Sequence, residues 1–353
     1  MAKVLMKGNE AVGRAAIEAG CKYFFGYPIT PQNEIPEYMA KELPKIGGCF
    51  LQAESEVAAI NMVYGAAGAG ARVMTSSSSP GIALKQEGIT YIAGAELPAV
   101  IINMMRGGPG LGSIQPSQAD YYMSTKGGGN GDYRHICYSP ASIQEACDLV
   151  MEAFEVADYY RNPVMVVGDG MIGQMMEPVE FRPAKKRDLP EKTWATDGTK
   201  GKRQPNIINS LFLQSEELEA HNLRLEAKYK AMEENEARHE AYMTEDAELV
   251  FVAYGTTSRI CRNVINDMRA EGYKVGMIRP VTIWPFPNNA FKTEIPNCKT
   301  LLTVEMSLGQ MVEDVKLAVD CKMPVHFCGR AGGMIPNATD IMAMAKELIG
   351  GAK

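Results

Sequence analysis

Short apolar segments alternate with helical segments along the first half of the chain. The apolar segments are rich in β-branched or aromatic residues and predict strands, while the stretches between them have apolar residues at helical spacing or many alanines. This alternation is typical of a doubly wound α/β domain with a mostly parallel sheet. The predicted strands cover residues 4–6, 23–26, 49–52, 72–75, 99–104 and 164–168, and the predicted helices cover residues 10–19, 31–42, 56–69, 81–93 and 142–160.

The alternation stops after residue 183 and resumes after residue 246. A charged helix is predicted over residues 214–243, along which Leu211, Leu218, Leu225 and Met232 recur every seven residues. So narrow an apolar stripe predicts a helix packed along one seam on a domain surface, with a parallel coiled coil as the alternative. We therefore predict a first α/β domain over residues 1–185, a helical linker over 186–244, and a second doubly wound, mostly parallel domain over 245–353 with strands at 249–254, 273–278, 300–304 and 325–328.

Composition narrows the classes of function. The chain has 353 residues, of which 46% are hydrophobic and 22% charged, and its net charge is −6. A globular protein is expected, and the negative charge argues against nucleic acid or a membrane surface as a partner. No apolar run approaches the ~20 residues of a membrane-spanning helix, so we expect a cytoplasmic protein. The eight cysteines lack any zinc or iron–sulfur spacing and are expected to be small buried residues.

Polar residues follow three of the predicted strands, at the edge of an open parallel sheet where ligands bind. Thr30 lies in the turn at residues 27–31, directly after the first of these strands. Glu54 and Glu56 follow the strand at 49–52, and Arg106 follows the strand at 99–104. A hydroxyl, a carboxylate and a guanidinium are therefore expected on one rim of the sheet.

Each of these residues also has a purely structural interpretation. Thr30 could cap a helix that begins at Pro31. Glu54 and Glu56 could simply favour the positive end of the following helix, which is worth ~0.3–1 kcal/mol. Arg106 could pair with a nearby acid instead of capturing a ligand carboxylate. The residue pattern by itself leaves these alternatives open.

Glycine- and serine-rich stretches carry less specific signals. Residues 107–112 and 127–131 lack the spacing of a phosphate-binding loop, and we interpret them as active-site or subunit-contact loops. Gly168-Asp169-Gly170 resembles the start of a thiamine diphosphate metal motif, but no Asn pair follows it, so we interpret it as a turn and expect no metal site in this chain. The serines at 76–79, before Pro80, are interpreted as a helix N-cap region.

Taken together, several of these motifs resemble one enzyme family. The pyrimidine-binding domain of the 2-oxoacid:ferredoxin oxidoreductases is similar, in order and spacing, to the motifs YPITP at 27–31, ESEVAA at 54–59, SPG at 79–81 and RGGP at 106–109. The transketolase C-terminal type domain of the same family is similar to YGTTSR at 254–259 and RPVTIWPFP at 279–287. This resemblance covers nearly all of the chain except the linker.

The resemblance implies a reaction and a cofactor. The family decarboxylates a 2-oxoacid oxidatively with coenzyme A, giving acyl-CoA, carbon dioxide and reduced ferredoxin, with thiamine diphosphate as the working cofactor. Carried over by position, Glu56 would hydrogen-bond the aminopyrimidine ring and so assist removal of the C2 proton. Pro28 and Ile29 would contact the cofactor. Thr30 would bind the carbonyl side of the 2-oxoacid, and Arg106 would bind its carboxylate.

The resemblance also implies partner subunits. The chain has no sequence motif for the diphosphate with its metal ion and none for iron–sulfur clusters. A beta subunit would hold the diphosphate and Mg²⁺, a ferredoxin-like delta subunit would carry the clusters, and a gamma subunit would complete the complex. The active site would lie between alpha and beta subunits, and ferredoxin would accept the electrons.

Within the family, the chain looks most like the alpha subunit of the enzyme for branched-chain 2-oxoacids, whose substrate is 3-methyl-2-oxobutanoate. Met104 and Met105 flank Arg106 with apolar groups and favour such a substrate. One alternative is the alpha subunit of a 2-oxoglutarate enzyme, which needs a second cation in its pocket. The alternative from a different class is a non-catalytic scaffold subunit in which Thr30, Glu56 and Arg106 are only capping and paired surface residues.

Overall fold

The computed structural model describes residues 3–350 and has an α/β architecture. The strands are β1 (Val4–Lys7), β2 (Tyr23–Gly26), β3 (Cys49–Gln52), β4 (Val73–Ser77), β5 (Ala99–Met105), β6 (Ile136–Tyr138), β7 (Pro163–Asp169), β8 (Met176–Val179), β9 (His239–Tyr242), β10 (Leu249–Val252), β11 (Val275–Pro280), β12 (Thr282–Trp284), β13 (Thr300–Glu305) and β14 (Val325–Gly329). The α-helices are α1 (Gly8–Glu18), α2 (Glu34–Glu42), α3 (Glu56–Gly68), α4 (Ser79–Gly94), α5 (Tyr121–Thr125), α6 (Ile143–Tyr160), α7 (Gly170–Gln174), α8 (Ser215–Glu236), α9 (Gly255–Ala270), α10 (Ala290–Thr293), α11 (Met311–Ala318) and α12 (Ala338–Gly350).

The first sheet has the strand order β12-β6-β7-β5-β4-β2-β3, and every neighbouring pair in it is parallel except β12 with β6. β4, β5 and β7 are buried along their whole length, as expected of central strands covered by helices. β2 and β3 have the predicted bounds, and β4, β5 and β7 differ from the predicted bounds by no more than two residues. The predicted doubly wound, mostly parallel sheet is therefore confirmed.

Some local predictions for this domain are wrong. β1 lies outside the first sheet and pairs antiparallel with β8 in a separate two-stranded sheet. The helix predicted to begin at Pro31 begins at Glu34. The Pro31 carbonyl does not start this helix, because it accepts hydrogen bonds from the side chains of Asn9, at 2.7 Å, and Gln174, at 3.2 Å.

The linker helix is shorter than predicted. α8 ends at Glu236, and residues 239–242 form β9, which pairs antiparallel with β11. β9 is the edge strand of the second sheet, whose order is β14-β13-β10-β11-β9 and whose other neighbouring pairs are parallel. The prediction of a second, mostly parallel sheet is confirmed, and the domain boundaries at residues 185 and 244 stay predictions.

α8 packs on the surface of the first domain. Its buried residues are His221, Leu225, Tyr229, Met232 and Glu236. Only two members of the seven-residue repeat are therefore buried, because Leu218 is 40% exposed and Leu211, which lies before the helix, is 70% exposed. The His221 imidazole Nε2 lies 2.8 Å from the carbonyl oxygen of Gly94, and Arg224 forms an ion pair with Glu96. Surface packing, and not a coiled coil, is therefore the role of this helix within the chain.

One large apolar cluster contains residues of both sheets, and a smaller cluster lies within the second half of the chain. Side chains of β10 alternate between two buried clusters, as the pleat of a strand requires. Val250 and Val252 belong to the large cluster that includes the first sheet, whereas Leu249 and Phe251 belong to a smaller cluster under α9 and α12. Residues from the second half of the chain also supply β12, which forms the edge of the first sheet beside β6. The second domain is thus built onto the first through both its core and its strands.

Candidate active site

The carboxyl ends of β2, β3, β4 and β5 lie at one edge of the first sheet, which we call the carboxyl edge. Adjacent parallel strands end side by side, so the segments that follow them are neighbours in space. These segments are the turn at 27–31 after β2, the first turn of α3 after β3, the first turn of α4 after β4, and residues 106–112 after β5.

Arg106 joins two of these segments. It is 8% exposed, and its guanidinium donates through Nη1 to the carbonyl oxygen of Thr30, at 2.9 Å, and through Nη2 to that of Leu111, at 3.1 Å. The Thr30 hydroxyl accepts a hydrogen bond from the Asn33 side chain at 3.4 Å and lies outside the helix that begins at Glu34. The fold therefore brings Thr30 and Arg106 together, and the interpretation of Thr30 as a helix cap is wrong.

Ser79 and Asp120 hold the backbone of Arg106. The Ser79 hydroxyl accepts from the Arg106 backbone N–H at 3.0 Å and donates to Asp120 Oδ2 at 2.6 Å. Asn103 donates to the same carboxylate oxygen at 3.0 Å. Burial raises the pKa of Asp120, and the hydrogen bonds from Ser79 and Asn103 oppose that shift. Sequence reasoning missed Asp120 because it lies in an irregular loop that carries no motif.

Burial distinguishes the two candidate carboxylates. Glu54 is exposed, whereas Glu56 is 7% exposed and is the first residue of α3, with Ser55 as its N-cap. The Glu56 carboxylate lies against Gly81 of α4: a Cβ atom on Gly81 would lie 2.7 Å from Glu56 Oε1 and 2.1 Å from the Ser77 hydroxyl. A side chain at position 81 would therefore displace the Glu56 carboxylate and the Ser77 hydroxyl.

A lysine lies in the same region. Lys85 of α4 is fully buried, and its ammonium donates to the Thr75 hydroxyl at 2.7 Å and to the Ser76 carbonyl at 3.0 Å. Burial lowers the pKa of Lys85 to about 7, and the negative charge of Glu56 acts in the opposite direction. Sequence reasoning missed Lys85, although a lysine on the apolar face of a helix is a signal that could have revealed it.

Several buried polar atoms at the carboxyl edge have no hydrogen-bond partner among the residues that the structure describes. They are the hydroxyl oxygens of Ser77 and Ser78 and the guanidinium Nε of Arg106. Buried polar atoms normally have partners. The Ser77 hydroxyl and the Glu56 carboxylate lie 2.1 and 2.7 Å from the position of a Cβ on Gly81, so these two groups are neighbours that can bind one ligand. They suit the nitrogen atoms of a flat polar ring, and the Arg106 guanidinium suits a carboxylate.

The structure also describes the residues of two other sequence interpretations. Met104 and Met105 are each 2% exposed, because β5 is covered on both faces. The argument from these methionines for a branched-chain substrate stays a prediction. Asp169 ends β7 and is the N-cap of α7, accepting backbone N–H bonds from Met171 and Ile172 at 2.8 and 3.2 Å. The motif is therefore a strand end followed by a helix N-cap and not the predicted turn.

Within residues 3–350, no three or more His, Cys, Asp or Glu side chains are grouped so that they could hold a metal ion. Over the same residues, no helix combines the length and the apolar character needed to cross a membrane.

Comparison with known protein families accounts for most of the chain. Residues 14–245 match the thiamine diphosphate-binding domain of the pyruvate flavodoxin/ferredoxin oxidoreductases. Residues 247–341 match core domain II of pyruvate:ferredoxin oxidoreductase. The first match contains every candidate residue of the carboxyl edge.

Individual relatives match over nearly the full length. Ketoisovalerate oxidoreductase subunit VorB of Methanothermobacter marburgensis is 51% identical over 350 residues, which cover 99% of each chain. The 2-oxoglutarate synthase subunit KorA of Methanothermobacter thermautotrophicus is 35% identical, over 97% of this chain and 98% of the relative. The solved 2-oxoglutarate:ferredoxin oxidoreductase from Magnetococcus marinus, with 2-oxoglutarate, coenzyme A and succinyl-CoA bound, superimposes with a TM-score of 0.88 at 25% identity. That match covers 98% of this chain but only 65% of the solved chain.

Proposed function

Since this chain belongs to the pyruvate flavodoxin/ferredoxin oxidoreductase family and is one subunit of a 2-oxoacid:ferredoxin oxidoreductase, we propose that it is the alpha subunit of the enzyme for 3-methyl-2-oxobutanoate. The reaction consumes the 2-oxoacid and coenzyme A and yields acyl-CoA, carbon dioxide and reduced ferredoxin. The proposed substrate rests on one observation: the chain is 51% identical to a ketoisovalerate oxidoreductase subunit but 35% identical to a 2-oxoglutarate synthase subunit over a similar length.

Glu56 is proposed as the catalytic residue that this chain contributes. Thiamine diphosphate supplies, when bound, the carbanion chemistry that decarboxylation of a 2-oxoacid requires. Glu56 would hydrogen-bond the aminopyrimidine ring. Its carboxylate is suited to this role because it is buried at the first residue of α3 and lies against Gly81. Pro28 and Ile29, on the turn after β2, would border the ring.

Thr30 and Arg106 are proposed to bind the 2-oxoacid. The unpartnered Nε of Arg106 is available for the substrate carboxylate, while Nη1 and Nη2 fix the side chain in place. The Thr30 hydroxyl would bind the carbonyl side. A guanidinium held by two backbone carbonyls cannot swing away, so the oxoacid would be oriented before it reacts.

The partner subunits are also part of the proposal. A beta subunit would hold the diphosphate and Mg²⁺, a ferredoxin-like delta subunit would carry the iron–sulfur clusters, and a gamma subunit would complete a complex in the cytoplasm. In support of a partner at the carboxyl edge, Val57 and Leu111 next to Glu56 and Arg106 are apolar side chains that are 41% and 86% exposed.

The native complex, copurified through this chain, provides the test. Reduction of a viologen dye with coenzyme A should be measured with 3-methyl-2-oxobutanoate, 2-oxoglutarate and pyruvate. We expect the highest kcat/KM for 3-methyl-2-oxobutanoate. A preference for 2-oxoglutarate would contradict the proposal that 3-methyl-2-oxobutanoate is the substrate. A complex without thiamine-dependent activity would support a non-catalytic scaffold subunit instead.

A further inference from the structure

The ammonium group of Lys85 is a buried charge that the proposed function leaves unused. Gly81 and Lys85 are four residues apart in α4 and therefore lie on the same face of that helix. The Glu56 carboxylate rests against this face at Gly81, so Lys85 lies one helical turn further from the mouth of the site. The negative charge of Glu56 also raises the pKa of Lys85, against the larger effect of burial. The two charges therefore form an interacting pair without direct contact.

Hydrogen bonds connect Lys85 to the turn that carries Thr30. The ammonium donates to the Thr75 hydroxyl and the Ser76 carbonyl at the end of β4. The Ser76 hydroxyl in turn donates to the Gln32 side-chain oxygen at 2.5 Å, and Gln32 Nε2 donates to the Tyr27 carbonyl at 3.3 Å. A buried network thus runs from beneath Glu56 to the turn at residues 27–31.

We propose that Lys85 is a positioning residue whose ammonium group favours the ionised form of Glu56 and fixes this carboxylate relative to the substrate-binding turn. This inference rests on the proposed function, because it presumes that Glu56 binds the aminopyrimidine ring. Glu56 and the ring nitrogen share one proton. A positive charge near the Glu56 carboxylate lowers the proton affinity of the carboxylate, so the proton stays on the ring nitrogen. Burying an ammonium is costly, and a methionine of similar length would fill the same space without that cost.

The first experiment uses the complete complex loaded with thiamine diphosphate. Wild type, Lys85→Met and Glu56→Gln are compared by the rate at which the cofactor C2 proton exchanges with deuterium, followed by NMR, and by the dissociation constant of the cofactor. We expect both variants to exchange at least about tenfold more slowly than wild type. The ratio of wild-type to Lys85→Met rates should approach one at alkaline pH, because neutral Lys85 provides no charge.

The second experiment needs no cofactor. Burial lowers the pKa of Lys85 from 10.5 to about 7 in the folded chain, so between these values the unfolded chain binds more protons and raising the pH stabilises the fold. The unfolding midpoint of the full chain in urea should therefore rise, relative to that of Lys85→Met, as the pH increases from 7 to 10. Lys85→Met should fold, since it removes a buried charge without changing the volume much.

The outcomes separate the two proposals. Normal exchange in Lys85→Met together with slow exchange in Glu56→Gln would overturn the role of Lys85 and leave the proposed function intact. Normal exchange in Glu56→Gln would overturn the assignment of Glu56, and the role of Lys85 with it. If this stability difference does not change with pH while the exchange ratio still falls to one at alkaline pH, the Lys85 ammonium is not the charge that speeds exchange, which overturns the proposal.

Discussion

Replacing Arg106 by alanine removes three interactions at once. The guanidinium binds the Thr30 and Leu111 carbonyls, and it is also the proposed partner of the substrate carboxylate. A hydrogen bond to a charged group is worth ~1.5–3 kcal/mol, so loss of both backbone bonds weakens the anchoring of the two loops by ~3–6 kcal/mol. Loss of the carboxylate contact should cost a further ~2 kcal/mol or more in transition-state binding.

The assay is viologen reduction by the assembled complex at varied 2-oxoacid concentration. We expect Arg106→Ala to raise KM and to lower kcat, with kcat/KM reduced at least about 30-fold, which corresponds to ~2 kcal/mol. Arg106→Lys keeps the positive charge but cannot bind the Thr30 and Leu111 carbonyls together, so its kcat/KM should lie between those of wild type and Arg106→Ala. A kcat/KM of Arg106→Ala within threefold of wild type would refute two roles of Arg106: the anchoring of the two loops and the contact with the substrate carboxylate.

Four further substitutions test the site and the fold. Glu56→Gln should lower kcat by about 100-fold or more while leaving the assembly unchanged by gel filtration, and wild-type turnover would refute its role. Gly81→Ala places a Cβ 2.7 Å from Glu56 Oε1 and should weaken cofactor binding about tenfold, whereas Gly65→Ala, which meets no atom within 4 Å, should leave stability unchanged or slightly raised. Arg72→Met removes ion pairs to Glu155 at 2.7 Å and to buried Asp158 at 2.8 Å, while Lys192 still pairs with Asp158 at 2.5 Å. The chain should therefore lose about 2 kcal/mol of stability in urea unfolding, and a loss below about 0.5 kcal/mol would contradict this.

The central strands of the first sheet were predictable because burial on both faces makes them continuous apolar runs. β5 and β7 are of this kind. Edge strands have no such pattern. β6 and β12 have three residues each, and β9 lies within the helix predicted over residues 214–243, so these strands depend on pairing with distant segments. A window of neighbouring residues contains no information about such partners.

The same distinction holds at the carboxyl edge. Thr30, Glu56 and Arg106 could be proposed because each follows a predictable strand. The start of α2 could not be predicted from the sequence, because proline favours the first turn of a helix. Only the hydrogen bonds from the side chains of Asn9 and Gln174 show that the Pro31 carbonyl is already engaged. Lys85 was missed for a different reason, since a single lysine in a helix is ordinarily taken to face solvent.

The position of β12 has a consequence for synthesis of the chain. The outer edge of the first sheet stays open until residues 282–284 have left the ribosome, long after the residues of the carboxyl edge have been made. A nascent or truncated product ending near residue 245 would expose the free backbone groups of β6, which invite pairing with another molecule. Expression of the cofactor-binding domain by itself is therefore expected to give aggregates, and chaperones would need to shield that strand during translation.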